Sequence, residues 1–189
     1  MEPAVEDLRR KFTVDDVSQM LAAGILGEDD RVELIEGELL VMSPQDPPHA
    51  SVIERLSGRL FAAFTAGYRV RVQLPLAISS ENLPEPDLAV VRGDEGTFDQ
   101  AHPQGRDCVV VLEVSWSSRR RDLRKAEIYG RGGVPHYWRL DIEGRRLETY
   151  AEPAADGVYT AIRIYDDLAE VELPEVGGRW RVADLLPKR

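Results

Sequence analysis

Pro86-Asp87-Leu88-Ala89-Val90-Val91 and Val109-Val110-Val111-Leu112-Glu113-Val114-Ser115, followed by residues 122–129 with Lys125 among them, are the stretches on which the fold turns. Both apolar runs read as strands, and each carries one carboxylate that its neighbours do not explain. Pro86 marks the start of the first strand, with Asp87 directly after it. Glu113 follows four apolar residues, 109–112, a run that reads as a strand buried on both faces. An isolated ionised carboxylate there is costly, so Glu113 needs a partner, a metal or an opening to water.

Two carboxylates on neighbouring strands can share one divalent cation. Lys125, on the helix after the second strand, reads either as an ordinary helix-surface lysine or as a group pointing back at the same spot. This outlines a phosphodiesterase-like site. A hard cation such as Mg2+ prefers oxygen ligands, keeps several waters and lowers the pKa of a bound water. A nearby ammonium stabilises developing charge or positions the attacking water.

The pattern resembles the PD-(D/E)XK nuclease superfamily and, more narrowly, the Uma-two family of restriction-endonuclease-like bacterial proteins. The resemblance covers roughly residues 12–150. It rests on Arg31-Val-Glu-Leu-Ile-Glu-Gly-Glu38, on Met42-Ser-Pro44 followed by His49, and on Pro84-Glu-Pro-Asp87-Leu-Ala-Val90. Further along, Leu112-Glu-Val-Ser115, Asp122-Leu-Arg-Lys125 with Tyr129, and Gly133-Val-Pro-His-Tyr-Trp-Arg-Leu-Asp141 continue it in the family's order. The superfamily's lysine lies two residues after the glutamate, where this chain has Ser115; in the Uma-two pattern it has moved to the next helix, which fits Lys125. The resemblance implies an α/β, restriction-endonuclease-like fold, a mixed central sheet flanked by helices. It implies a Mg2+-dependent (or Mn2+-dependent) endonuclease acting on phosphodiesters, with DNA as the expected substrate. Asp87, Glu113 and the Val114 carbonyl would hold the metal, with Lys125 as the third catalytic group. A homodimer is a further expectation, because restriction-like nucleases often act as dimers.

At 189 residues, 43% of them hydrophobic, the chain has the size of one domain with a real core. We expect a flexible segment over residues 1–11 and a single domain over 12–189. No stretch approaches a membrane span, and residues 1–7 lack the basic start and apolar core of a signal peptide, so a cytoplasmic location is expected. Cys108, the single cysteine, reads as a small buried hydrophobe. The net charge of −10 opposes broad affinity for nucleic acid. However, residues 116–139 are net +5, against −15 in the remainder. Arg119, Arg120, Arg121 and Arg124 in that segment read either as a phosphate-facing patch or as a solvated helix face.

Working outward, Thr13 and Asp16 form a capping-box pattern opening a helix that Gly24 ends. Residues 31–35 and 38–42 form a hairpin about Glu36-Gly37. Within it, Glu33 and Glu38 are each candidates for a third acidic ligand or for ordinary exposed glutamates. His49 opens a helix whose apolar face comprises Val52, Ile53, Leu56, Leu60, Phe61 and Phe64. It reads as a cap or as a metal-proximal group. Residues 69–78 alternate like a strand, at an edge or bulge because of Pro75, with Gln73 towards the cleft. Lys125 and Tyr129, four apart, share one helix face. Strands over 134–142 and 146–151 follow. The tail continues with a strand over 158–165, two short strands and a last helical turn.

Two other readings stand beside the nuclease. One is a catalytically inactive nuclease-fold protein that binds nucleic acid or a protein partner, favoured by the acidity and by Ser115. The other is metal-dependent hydrolysis of a smaller phosphate ester.

Overall fold

A computed structural model describes residues 10–27, 29–116 and 119–188, without the side chains of 119–123. The first nine residues, on which most of the expected flexible segment falls, lie outside the described residues. Helix α1 spans Val14–Ala22. Thr13 Oγ1 accepts from the Asp16 N–H at 3.1 Å and Asp16 Oδ2 accepts from the Thr13 N–H at 2.8 Å, closing the capping box. Strands β1 (Val32–Ile35) and β2 (Glu38–Val41) pair antiparallel. Glu36 and Gly37 both have positive φ, 49° and 78°, as a tight two-residue hairpin turn requires. Helix α2 (Pro47–Ala63) is capped by Asp46 and starts on Pro47, two residues before the expected start at His49, because proline suits the first helical turn.

The central sheet is built from β3 (Tyr68–Val72), β4 (Leu88–Arg92) and β5 (Cys108–Ser115), then, after helix α3 (Arg119–Arg131), from β6 (His136–Asp141), β7 (Arg146–Pro153) and β8 (Tyr159–Asp166). Its spatial order is β3-β4-β5-β6-β7-β8. The β5–β6 pair is parallel, joined through α3, and the other neighbours are antiparallel. Two short strands, β9 (Glu170–Glu172) and β10 (Arg179–Arg181), form a separate ribbon before a last 3-10 turn, Val182–Asp184.

Strand β5 is buried along its whole length because the sheet is covered on both faces. On one face Val52, Leu56 and Leu60 of α2 pack with Leu88, Val110, Leu112, Trp138 and Leu140. On the other, Ala126 and Tyr129 of α3 pack with Ala89, Val111, Tyr137 and Tyr150. Side chains alternate between the faces, so Glu113, two residues after Val111, falls on the α3 side. Among the described residues no helix is long and apolar enough to cross a membrane.

Two expectations need correction. The strand expected over 69–78 stops at Val72, because Gln73 turns into the left-handed region with φ 51°; Pro75 follows without a ladder donor. Phe61, assigned to the apolar face of α2, is exposed.

Candidate active site

The register of β4 against β5 brings the carboxylates together. Leu88 pairs with Leu112 in an antiparallel ladder, so the next positions outward are Asp87 and Glu113. Asp87 Oδ2 accepts the Val114 N–H at 2.8 Å. Glu113 Oε1 accepts from Lys125 Nζ at 3.1 Å and from the Tyr129 hydroxyl at 2.9 Å. One face of α3 supplies both donors, a turn apart. Glu33, on β1, completes the clamp with its Oε2 2.9 Å from Lys125 Nζ. That contact is close but poorly directed, and Glu33 Oε2 makes no hydrogen bond among the described residues.

His49, in the first turn of α2, reaches the same place from the other side of the sheet edge. Its Nε2 lies 3.0 Å from the Val114 carbonyl oxygen and 3.2 Å from Asp87 Oδ2. A carbonyl only accepts, so Nε2 carries a proton. The hydrogen bond to Asp87 raises the His49 pKa; burial opposes it and the charge of Asp87 adds to the rise.

These groups open into a cleft of about 230 Å³, with Arg31, Gln73, Glu85 and Trp116 also on its wall. Burial pushes the Glu113 carboxyl up to about 7; Lys125 works against the shift, and Asp87 and Glu33 add to it. Burial alone would discharge Lys125, yet Glu113 and Glu33 outweigh it and hold the ammonium above its ordinary value. The buried Tyr129 phenol is likewise held well above its ordinary range, by burial first and then by Glu113, so it remains a donor.

Of the residues singled out in the sequence, Asp87, Glu113, Val114, Lys125, Glu33, His49 and Gln73 line the cleft, and Tyr129 supports Glu113 from behind. Glu38 is not on the cleft wall; it is exposed on β2, 3.9 Å from Arg124. Arg124 also donates to Glu36 at 2.6 Å. The side chains of Arg119, Arg120 and Arg121 lie outside the described residues. Sequence reasoning missed Glu85, whose carboxyl burial pushes up, and the rim residues Trp116 and Arg31. The signal for Glu85 was its place between two prolines just before Asp87; Trp116 directly follows the buried strand.

Among the described residues no three His, Cys, Asp or Glu side chains converge as a ready-made metal cage. The donor set nevertheless fits a hard cation, which typically takes one or two protein carboxylates and fills the rest of its shell with water. Asp87 and Glu113 are adjacent oxygen donors whose charges repel each other, and a cation between them relieves that repulsion.

Comparison with known proteins gives the same fold. A sequence-family profile, Uma2, described as "Putative restriction endonuclease", matches residues 14–185. A crystal structure from Anabaena variabilis, described as "a putative nuclease", superposes with a TM-score of 0.75 at 15% identity, covering 92% of this chain and 97% of that one. No curated protein matches the chain.

Proposed function

Because the chain belongs to the Uma2 family of restriction-endonuclease-like proteins, we propose that it is a Mg2+-dependent endonuclease that hydrolyses phosphodiester bonds in DNA. The observation that carries this reading is the buried juxtaposition of Asp87, Glu113 and Lys125 at the base of one open cleft. In it, Asp87, Glu113 and the Val114 carbonyl would hold the cation, which would supply Lewis acidity and a more acidic bound water. The Val114 N–H fixes the Asp87 carboxylate, and Lys125 with Tyr129 fixes Glu113, so neither must reorganise far to bind. Lys125, kept charged by Glu113 and Glu33, acts as an electrostatic group towards the phosphoryl oxygens and not as a base.

A specific observation favours the rival reading, a catalytically inactive binding protein. The Val114 carbonyl already faces His49, and Glu113 already accepts two hydrogen bonds, so two of the three expected metal-holding groups have partners without a metal. Calorimetric titration of Mg2+ or Mn2+ into wild type, Asp87→Ala and Glu113→Ala, beside cleavage of supercoiled and single-stranded DNA, separates the two. The nuclease reading expects metal binding and DNA nicking in wild type and loss of both in each variant. Absence of metal binding at millimolar concentration, with or without DNA, leaves the carboxylates structural and the binding protein as the reading.

A further inference from the structure

Two groups on the cleft wall take no part in the carboxylate–lysine network. Trp116, directly after β5, is 45% exposed, and among the described residues its indole has no ring partner and no hydrogen bond. Gln73 holds a left-handed backbone, φ 51°, that no glycine eases, and its side-chain amide makes no hydrogen bond among the described residues. Its own N–H is tied to the Asp87 carbonyl at 3.1 Å, so the strained turn is built onto the residue that carries the site.

The charges around the cleft argue against grip on a duplex backbone. Arg124 is paired with Glu36, and Arg131 with Glu127 at 3.1 Å and Glu36 at 3.6 Å. Among the described residues the cleft wall carries Lys125, already paired with Glu113 and Glu33, and the exposed Arg31, and the net charge of −10 weakens long-range attraction of a duplex. Asp87, Glu113 and Lys125 are buried behind the rim, which favours a flexible strand that can bend into the cleft over a stiff duplex. An exposed aromatic face supplies affinity that depends little on charge.

We infer that this cleft takes single-stranded or locally unpaired nucleic acid, with one unstacked base seated on the Trp116 indole and the Gln73 amide available to its edge. The inference rests on the phosphodiesterase reading of the same cleft and names its substrate class. The test is fluorescence anisotropy of an end-labelled short DNA oligonucleotide, single-stranded or annealed to its complement, titrated with the full chain, with Ca2+ replacing Mg2+ so that binding is read without cleavage. The single strand should bind tighter than the duplex and quench the tryptophan emission of the wild type. Trp116→Ala should weaken single-strand binding about tenfold, and Trp116→Phe should retain most of it. Thermal melting checks that these surface variants fold. Equal affinity for both forms, unchanged affinity in Trp116→Ala, or no binding of either form overturns the inference. Cleavage with Mn2+ is scored separately. Binding that depends on Trp116 without any cleavage sinks the nuclease reading and leaves the base seat. Equal cleavage of both forms by wild type and Trp116→Ala does the reverse.

Discussion

Glu113 is the residue at which burial and charge compete most openly. Burial pushes its carboxyl up to about 7 in the folded protein against the help of Lys125, whereas an unfolded chain releases that proton near the ordinary carboxylate value. Between those limits the folded state binds the extra proton, so this group's contribution to stability falls as pH rises through the window. His49, also raised, acts in the same direction as pH passes upward through its folded value. Urea unfolding midpoints should therefore decline from about pH 5 to about pH 7, and Glu113→Gln should flatten that decline. Lys125 has the complementary role. Its charge is balanced by Glu113 and Glu33, so Lys125→Met leaves Glu33 without its cation and drives the Glu113 carboxyl further towards its neutral form; equilibrium unfolding at neutral pH should show a loss of about 3 kcal/mol.

At the scale of elements, α3 must lie close to the sheet for Lys125 and Tyr129 to reach Glu113. Small residues set that distance. A Cβ on Gly130 would sit 2.0 Å from the Gly157 carbonyl oxygen, in the loop between β7 and β8. Gly130→Ala should push the helix end outward and cost about 1–3 kcal/mol, read by thermal melting. The pairing of Lys125 with Glu113 was not written in any local pattern, since it depends on how deeply the helix seats. What was legible followed from short-range chemistry. The Thr13–Asp16 capping box, the Glu36-Gly37 turn, the doubly buried β5 and the order of later strands all depend on neighbouring residues. The overrun of β3 has a physical source as well. Gln73 adopts a backbone conformation that glycine or asparagine would have advertised, and alternation alone continues through it. Phe61 was misplaced because it stands at the edge of the apolar stripe: Leu60 and Phe64 beside it are buried, whereas Phe61 is exposed.

At the scale of the whole molecule, buried charges among the described residues are compensated by close partners despite the large acidic excess. On the α3 side of the sheet, Arg139 lies 3.0 Å from Glu148 and 3.8 Å from Asp141, and Arg146 lies 3.1 Å from Asp141. Beside this belt Tyr129, Tyr137, Tyr150 and Tyr159 contact one another in sequence, tilted or edge-on, with centroids 5.4, 5.4 and 6.0 Å apart. The hydroxyl of the first donates to Glu113, so the same aromatic row that fills the core also anchors the cleft. The cleft draws its groups from β1, α2, the start of β4, β5 and α3, elements spread from residue 33 to residue 125. Contacts between such distant positions form slowly, after loop closure has been met for each. During synthesis a chain that has already released both carboxylates from the ribosome still lacks the helix that completes the clamp. The site is therefore timed by the order of translation, and it stays incomplete until the crossover helix has emerged and docked.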